Sequence, residues 1–91
     1  MKTMKLINKV RVKNQMGLHT RPATTIVKLL QNCKSDVHFL HKQERVNAKS
    51  ILSILLLAAK KNASITITVE GEDATSTMQQ LVDAFNNQFG E

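Results

Sequence analysis

One short run constrains the fold more than any other part of the sequence, and it is GLHTRPA at residues 17–23. A segment of alternating apolar and polar residues ends just before it, and apolar residues at helical spacing begin within it. Gly17 permits a backbone angle that other residues resist, so the chain can turn sharply there. Pro22 lacks a backbone N–H and has its φ already set, which suits the first turn of a helix. The run therefore predicts a strand, a sharp turn and a helix in direct succession.

The same run places a candidate reactive group, His19, at the mouth of the predicted helix. Free N–H groups and the positive end of the helix dipole lie at that point. A neutral imidazole is a good nucleophile near pH 7, and Arg21 adds a planar, charged fork of donors. This arrangement predicts a histidine that takes a phosphoryl group, which backbone N–H groups and the Arg21 guanidinium then hold. The alternative is a surface histidine beside a solvated arginine, because short motifs often arise by chance.

The pattern of apolar residues predicts the element order βαββαβα. The strands are expected at residues 6–13, 37–41, 45–48 and 65–69, and the first helix at residues 20–33. Ser50 opens and caps a short helix, and Asp73 caps the last helix. The buried stripe of that last helix is predicted to be Ala74, Met78, Leu81, Val82, Phe85 and Phe89. Because each strand is apolar on one face, the helices should cover one side of an antiparallel sheet, giving a single α+β domain over residues 1–91.

Two connections carry local predictions of their own. Lys42 and Gln43 separate the second and third strands, so they should form the hairpin turn. Asn62 lies in the turn before the fourth strand, where it is the best substitute for glycine in a left-handed conformation.

Composition limits the classes of function. The 91 residues carry a formal net charge of +6, and the three aromatic residues are all phenylalanines that we place in the core. Few side chains are therefore left for stacking on bases. A positive surface also attracts an acidic protein. We expect a protein partner and no nucleic acid, and a small basic RNA-binding α+β domain is the alternative from another class.

Nothing in the sequence predicts membrane insertion, a signal peptide or a metal site. The most apolar run, residues 51–59, is interrupted by Ser53 and is far shorter than the roughly 20 residues that span a bilayer. The basic residues 1–5 precede a segment broken by polar side chains, unlike a signal peptide. The single cysteine, Cys33, forms no internal disulfide and fits a reducing cytoplasm; we expect it to be a small buried residue late in the first helix. His38 and His41 have no cluster of ligands, so we predict structural roles for both, with no metal and no cofactor.

Two motifs in the right order, GLHTRPAT at residues 17–24 and VNAKSI at residues 46–51, closely resemble the HPr family. These proteins are the histidine phosphocarriers of the bacterial phosphoenolpyruvate-dependent sugar phosphotransferase system. The resemblance implies an open-faced β-sandwich with four antiparallel strands and three helices on one face. It also implies a cytoplasmic, monomeric carrier that is consumed and regenerated, rather than an enzyme. A nitrogen-branch regulatory phosphocarrier shares the histidine motif and is the closest alternative.

The resemblance assigns roles to individual residues. His19 matches the histidine that accepts phosphate on Nδ1 from enzyme I and passes it to enzyme IIA domains. Arg21 matches the arginine that neutralises the phosphate. Thr20 stands where alanine is common, but its backbone N–H still serves. Ser50 matches the serine that an HPr kinase/phosphorylase modifies in many bacteria, although capping alone also explains a serine there.

The short helix after Ser50 is predicted to form a docking surface. If Ile54 and Leu57 face the sheet, then Ile51, Leu52 and Leu55 fall largely outside, and a contiguous apolar patch beside a reactive group often binds a partner. The family uses this surface for enzyme I and enzyme II, and we expect Thr24, Lys28 and Lys49 to border it. The chain departs from common family glycines or serine at Gln43, Ser53, Leu56, Ala58 and Asn62. The helix should therefore be stiffer and more apolar than usual, so that partner preference can differ.

Overall fold

Residues 4–91 are described by a computed structural model, so the predictions made for residues 1–3 lie outside the described part of the chain. The elements follow the predicted order βαββαβα. They are β1 (Met4–Arg11), α1 (Thr20–Leu30), β2 (Asp36–His41), β3 (Glu44–Asn47), α2 (Ile51–Leu56), β4 (Ser64–Gly71) and α3 (Ala74–Asn86), followed by a 3-10 turn (Gln88–Gly90).

The four strands form one sheet in the order β1-β4-β2-β3, and every neighbouring pair is antiparallel. Strand β4 is central, with Val69 opposite both Leu6 of β1 and Val37 of β2. Alternate residues of β4 are buried, whereas Thr66 and Thr68 between them are half-buried on the opposite face. The helices cover the buried face alone, which confirms the predicted open-faced sandwich.

The core lies between the sheet and the helices. Phe39 of β2 and Phe85 of α3 are both fully buried, and their rings meet edge to face with centroids 5.7 Å apart. This is the favoured arrangement for aromatic pairs. Ile26 of α1 and Ile54 of α2 are also fully buried, so all three helices contribute to one core.

Several predicted boundaries shift by one to three residues. Strand β1 ends at Arg11, because Val12 turns away to exchange hydrogen bonds with the connection before β4: Val12 N–H donates to Ala63 O at 2.9 Å, and Asn62 N–H donates to Val12 O at 2.7 Å. Helix α1 ends at Leu30 rather than residue 33, because the next N–H groups make shorter-range turn bonds. Strand β3 begins and ends one residue earlier than expected.

The end of α3 corrects the predicted stripe. The helix stops at Asn86, and Phe89 lies beyond it with a left-handed φ of 55°. Its ring is nevertheless partly buried against Phe85, with centroids 4.8 Å apart. The prediction of a helical position for Phe89 was therefore wrong, because two left-handed residues fold the chain back across the end of the helix.

Local predictions for caps and turns have mixed outcomes. Ser50 is confirmed as the N-cap of α2, since its Oγ accepts a hydrogen bond from Ser53 N–H at 3.2 Å. Asp73 occupies the N-cap position of α3 without capping it, because its carboxylate instead accepts hydrogen bonds from Lys34 N–H and the Ser35 hydroxyl.

The two turn predictions are confirmed. The hairpin residues Lys42 and Gln43 have φ of 48° and 71°, as a type I′ turn requires. Asn62 is left-handed, with φ of 75°.

Candidate functional site

The loop before α1 is held in place at Gly17. Its φ is +71°, and a Cβ at this position would lie 2.3 Å from Ala59 O. The next N–H, that of Leu18, donates to the same oxygen at 2.9 Å. Only glycine satisfies both the left-handed backbone and the close approach. This contact fixes the loop against the connection between α2 and β4, directly before the candidate reactive residue.

His19 is the N-cap residue of α1, as the sequence predicted. Its backbone is extended, with φ −83° and ψ −168°, and its carbonyl accepts the first helical hydrogen bond from Ala23 N–H at 3.1 Å. The imidazole makes no capping hydrogen bond to the helix, so it is available for other contacts. Pro22 lies buried in the first turn, where its missing N–H has no cost. The N–H groups of Thr20 and Arg21, in the first turn of the helix, therefore have no partner within the helix and lie at the same terminus as the imidazole.

Glu91 also lies at this site, although nothing in the sequence pattern indicated it. Its Oε2 is 3.0 Å from His19 Nε2 and 4.0 Å from Arg21 Nε. The amide of Asn14 donates to Glu91 Oε1 and, at 2.8 Å, to Gln88 O. These contacts join parts of the chain at least 70 residues apart, which local patterns cannot detect.

The charges around Glu91 lower its pKa. Partial desolvation by itself would raise the pKa of this carboxyl, but the hydrogen bonds from Asn14 and His19 and the charges of His19 and Arg21 outweigh it. The carboxylate is therefore the form present near neutral pH. The Arg21 side chain is 80% exposed, so its guanidinium is free to meet an anion that approaches from solvent.

The apolar surface of α2 differs in one position from the prediction. Leu52 and Leu56 are 68% and 71% exposed, Ile51 is 37% exposed, and Ile54 and Leu57 are buried as expected. Leu55 is half-buried against the core, so its predicted place on the outer face was wrong. Residues four apart share a helix face, which pairs Leu56 with Leu52 and gives Leu56 the position expected of Leu55. We call Ile51, Leu52 and Leu56 the α2 patch.

The residues expected to border this patch lie on α1 and before α2. Lys28 is exposed in the last turn of α1, and Thr24 is half-buried, its hydroxyl donating to Thr20 O at 2.8 Å. Lys49 is also half-buried, and its Nζ donates to Cys33 O at 3.4 Å, beyond the end of α1. Lys49 therefore links the segment before α2 to the segment after α1, as well as adding charge.

The other candidate ligands and the cysteine have structural surroundings. His38 lies on the open sheet face, where burial and then the charge of Arg45 lower its pKa. His41 Nδ1 is 3.3 Å from Ser64 O. Cys33 is half-buried after α1 rather than within it. Among residues 4–91, no cluster of three or more His, Cys, Asp or Glu side chains could hold a metal ion. No helix in that same range is long and apolar enough to cross a membrane.

Comparisons with known proteins agree with this geometry. The family model described as PTS-HPr, "PTS HPr component phosphorylation site", matches residues 7–87. The phosphocarrier protein HPr of Chlamydia pneumoniae is 44% identical over 80 residues, which are 88% of this chain and 74% of the relative.

Solved structures with the same fold include HPr-C-His from Thermoanaerobacter tengcongensis. It superposes with a TM-score of 0.87 at 32% identity, covering 100% of this chain and 98% of that one. A structure titled as an HPr dimer from the same organism gives a TM-score of 0.76 at 33% identity, covering 90% and 94% of the two chains.

Proposed function

Since the chain belongs to the HPr family of phosphocarrier proteins, we propose that it carries a phosphoryl group on Nδ1 of His19. In this proposal enzyme I donates the group, and enzyme IIA domains of the sugar phosphotransferase system accept it. The observation that carries the proposal is the position of the His19 imidazole at the N-terminus of α1, beside Arg21. A nucleophile at a helix N-terminus has an anion site built around it.

The chemistry asks for positioning and neutralisation of charge. The lone pair of Nδ1 forms the bond to phosphorus, while the bond from phosphorus to the donor breaks and its electron pair leaves with the donor. The backbone N–H groups of Thr20 and Arg21 meet the phosphoryl oxygens, and the exposed guanidinium of Arg21 supplies a full positive charge. The protein is then a carrier that each cycle loads and unloads, rather than an enzyme that turns over a small molecule.

The α2 patch supports the proposed docking of both partners. Three exposed apolar side chains on one short helix release water when a partner covers them. We propose that Thr24, Lys28 and Lys49 border this patch, and the net charge of +6 favours an acidic partner. Leu55 packs against the core and is left out of the proposed docking surface.

Ser50 is proposed as a regulatory site. Its hydroxyl caps α2 and is half-exposed, and the next two residues, Ile51 and Leu52, belong to the α2 patch. A phosphate from an HPr kinase/phosphorylase would add about two negative charges at the edge of that patch. Such a charge resists the desolvation that docking requires.

We place this carrier in the cytoplasm as a monomer. The experiment that tests the proposed function is incubation with enzyme I and phosphoenolpyruvate, followed by intact mass. A single acid-labile, alkali-stable phosphoryl group supports it, as does its transfer to a sugar-specific enzyme IIA domain. Transfer only to a nitrogen-branch acceptor would support the regulatory alternative. Salt-dependent retention on RNA without labelling would contradict the carrier function, and a dimer in sedimentation would contradict the monomer.

A further inference from the structure

Glu91 binds the side of the His19 ring opposite the nitrogen proposed to react. Its two carboxylate oxygens lie 3.0 and 3.2 Å from Nε2, so both contacts are made to that ring nitrogen and not to Nδ1. An ionised carboxylate accepts hydrogen bonds and donates none. The neutral ring must therefore carry its hydrogen on Nε2 to satisfy this contact. The other nitrogen, Nδ1, is then left with the free lone pair.

The carboxylate is held in place before any partner arrives. Asn14 is 1% exposed, and its two amide hydrogens go to Gln88 O and Glu91 Oε1. If the amide were rotated by 180°, its oxygen would face Gln88 O and Glu91 Oε1, which are both acceptors. The two contacts therefore also determine the orientation of the Asn14 amide. Gln88 and Phe89 adopt left-handed φ of 56° and 55°, and the Phe89 ring packs on Phe85. The contacts of Asn14 and Phe89 thus hold this segment beside His19.

We propose that Glu91 is a positioning residue for phosphoryl acceptance by His19. It selects the tautomer with hydrogen on Nε2, and it stabilises the positive charge that the ring gains when Nδ1 reacts. A carboxylate that orients a histidine through its second ring nitrogen is a general device for activating that side chain. The inference rests on the proposed function, because it assumes that Nδ1 accepts the group.

The transfer balances with Glu91 in this role. The Nδ1 lone pair forms the new bond to phosphorus. The bond from phosphorus to the donor protein breaks, and its electron pair stays with that protein. The hydrogen stays on Nε2, so the ring becomes cationic, and its charge faces the carboxylate across 3.0 Å. The Arg21 guanidinium, whose Nε is 4.0 Å from Glu91 Oε2, offsets the repulsion between this carboxylate and the incoming phosphoryl oxygens.

Two variants separate the parts of this role. Glu91→Ala removes both the acceptor and the charge, whereas Glu91→Gln keeps an acceptor oxygen for Nε2–H and removes only the charge. Glu72→Ala, at an exposed position in the turn between β4 and α3, is the matched control. Each protein is labelled with ¹⁵N to read the tautomer of His19 by nuclear magnetic resonance. Each is also assayed for its rate of labelling by enzyme I and for its melting temperature.

We expect the wild type to show an Nε2–H proton that exchanges slowly with water. Glu91→Ala should lose that signal and be labelled about tenfold more slowly, which is the effect of one charge-assisted hydrogen bond. Glu91→Gln should keep the hydrogen on Nε2, and its labelling rate should lie between those of the wild type and Glu91→Ala. Glu72→Ala should match the wild type in both measurements. A melting temperature close to that of the wild type in all variants supports positioning over a general effect on folding.

The outcomes distinguish the two proposals. A labelled wild type, together with a Glu91→Ala variant of unchanged rate and unchanged Nε2–H signal, refutes the role of Glu91 alone. A wild type with hydrogen on Nδ1 refutes it as well. A wild type that enzyme I does not label refutes the proposed function, and the role of Glu91 falls with it.

Discussion

Replacing Gly17 with alanine tests how the fold builds the site. The left-handed φ of +71° disfavours any side chain, which costs about 1–2 kcal/mol. The added Cβ would lie 2.3 Å from Ala59 O and 2.9 Å from Lys60 Cα, both backbone atoms that cannot rotate away. The loop must move, and the hydrogen bond from Leu18 N–H to Ala59 O is lost at about 1 kcal/mol. We therefore expect Gly17→Ala to lower the free energy of unfolding by about 3 kcal/mol.

Gly90 offers a matched control within the same chain. Its φ is +80°, but a Cβ there would meet nothing within 4 Å. Gly90→Ala introduces the same left-handed strain and the same reduction in the conformational entropy of the unfolded chain. We therefore expect it to lower the free energy of unfolding by only about 1 kcal/mol. The difference of about 2 kcal/mol between the variants measures the contact with Ala59.

The assay is thermal unfolding followed by circular dichroism or calorimetry. For a domain of this size, each kcal/mol lowers the melting temperature by about 4–8 °C, so Gly17→Ala should melt about 15 °C below the wild type. Labelling of His19 by enzyme I should also slow at temperatures where the variant is folded, because displacement of a reacting group by 1 Å can cost about 100-fold. If the two glycine variants melt within 2–3 °C of each other, on the order of the resolution of such scans, the contact at Ala59 does not constrain the loop.

Three further variants test the site and the fold. Arg21→Ala should slow phosphoryl transfer at least tenfold, which corresponds to about 1.4 kcal/mol of transition-state stabilisation. The control Arg45→Ala, on the open sheet face, should leave the rate unchanged. If Arg21→Ala transfers as fast as the wild type, the backbone N–H groups suffice. Ser50→Asp and Leu52→Glu should both raise the enzyme I concentration needed for half-maximal labelling, with little loss of thermal stability, and titrations like the wild type would exclude the α2 patch as the docking surface. The hydrogen bonds from Ser35 and Lys34 lower the pKa of Asp73, so they stabilise the fold at pH values above the ordinary carboxyl pKa, and this stabilisation is lost as the pH falls through the lowered pKa. In Asp73→Asn the melting temperature should therefore depend less on pH between about pH 5 and pH 2 than it does in the wild type. A pH dependence identical to that of the wild type would contradict this assignment.

Much of the fold was predictable because local and tertiary preferences agree. The alternation of Ile65, Ile67 and Val69 with two threonines specified a strand buried on one face, and the structure confirms it. Ser50 and Asn62 were predictable because a cap and a left-handed turn depend on neighbouring residues alone.

The errors arise where distant contacts decide. Phe89 continues the helical stripe in sequence, but the hydrogen bond from Asn14 to Gln88 O stabilises a reversal that the stripe cannot reveal. Asp73 has the composition of a cap, yet donors nearly 40 residues away bind its carboxylate. The Glu91 contact with His19 belongs to the same class. The sequence therefore predicted the residues at the N-terminus of α1, His19 and Arg21, but not the contact that Glu91 makes with them.

The most direct test of the central claim identifies the atom that carries the phosphoryl group. The protein is labelled with ¹⁵N in its histidines, phosphorylated by enzyme I and phosphoenolpyruvate, and kept at alkaline pH while its nitrogen and phosphorus resonances are recorded. We expect one phosphorus signal, with a one-bond coupling to Nδ1 of His19, and no such coupling in His19→Ala. A coupling to Nε2, or to a ring nitrogen of His38 or His41, would contradict the account.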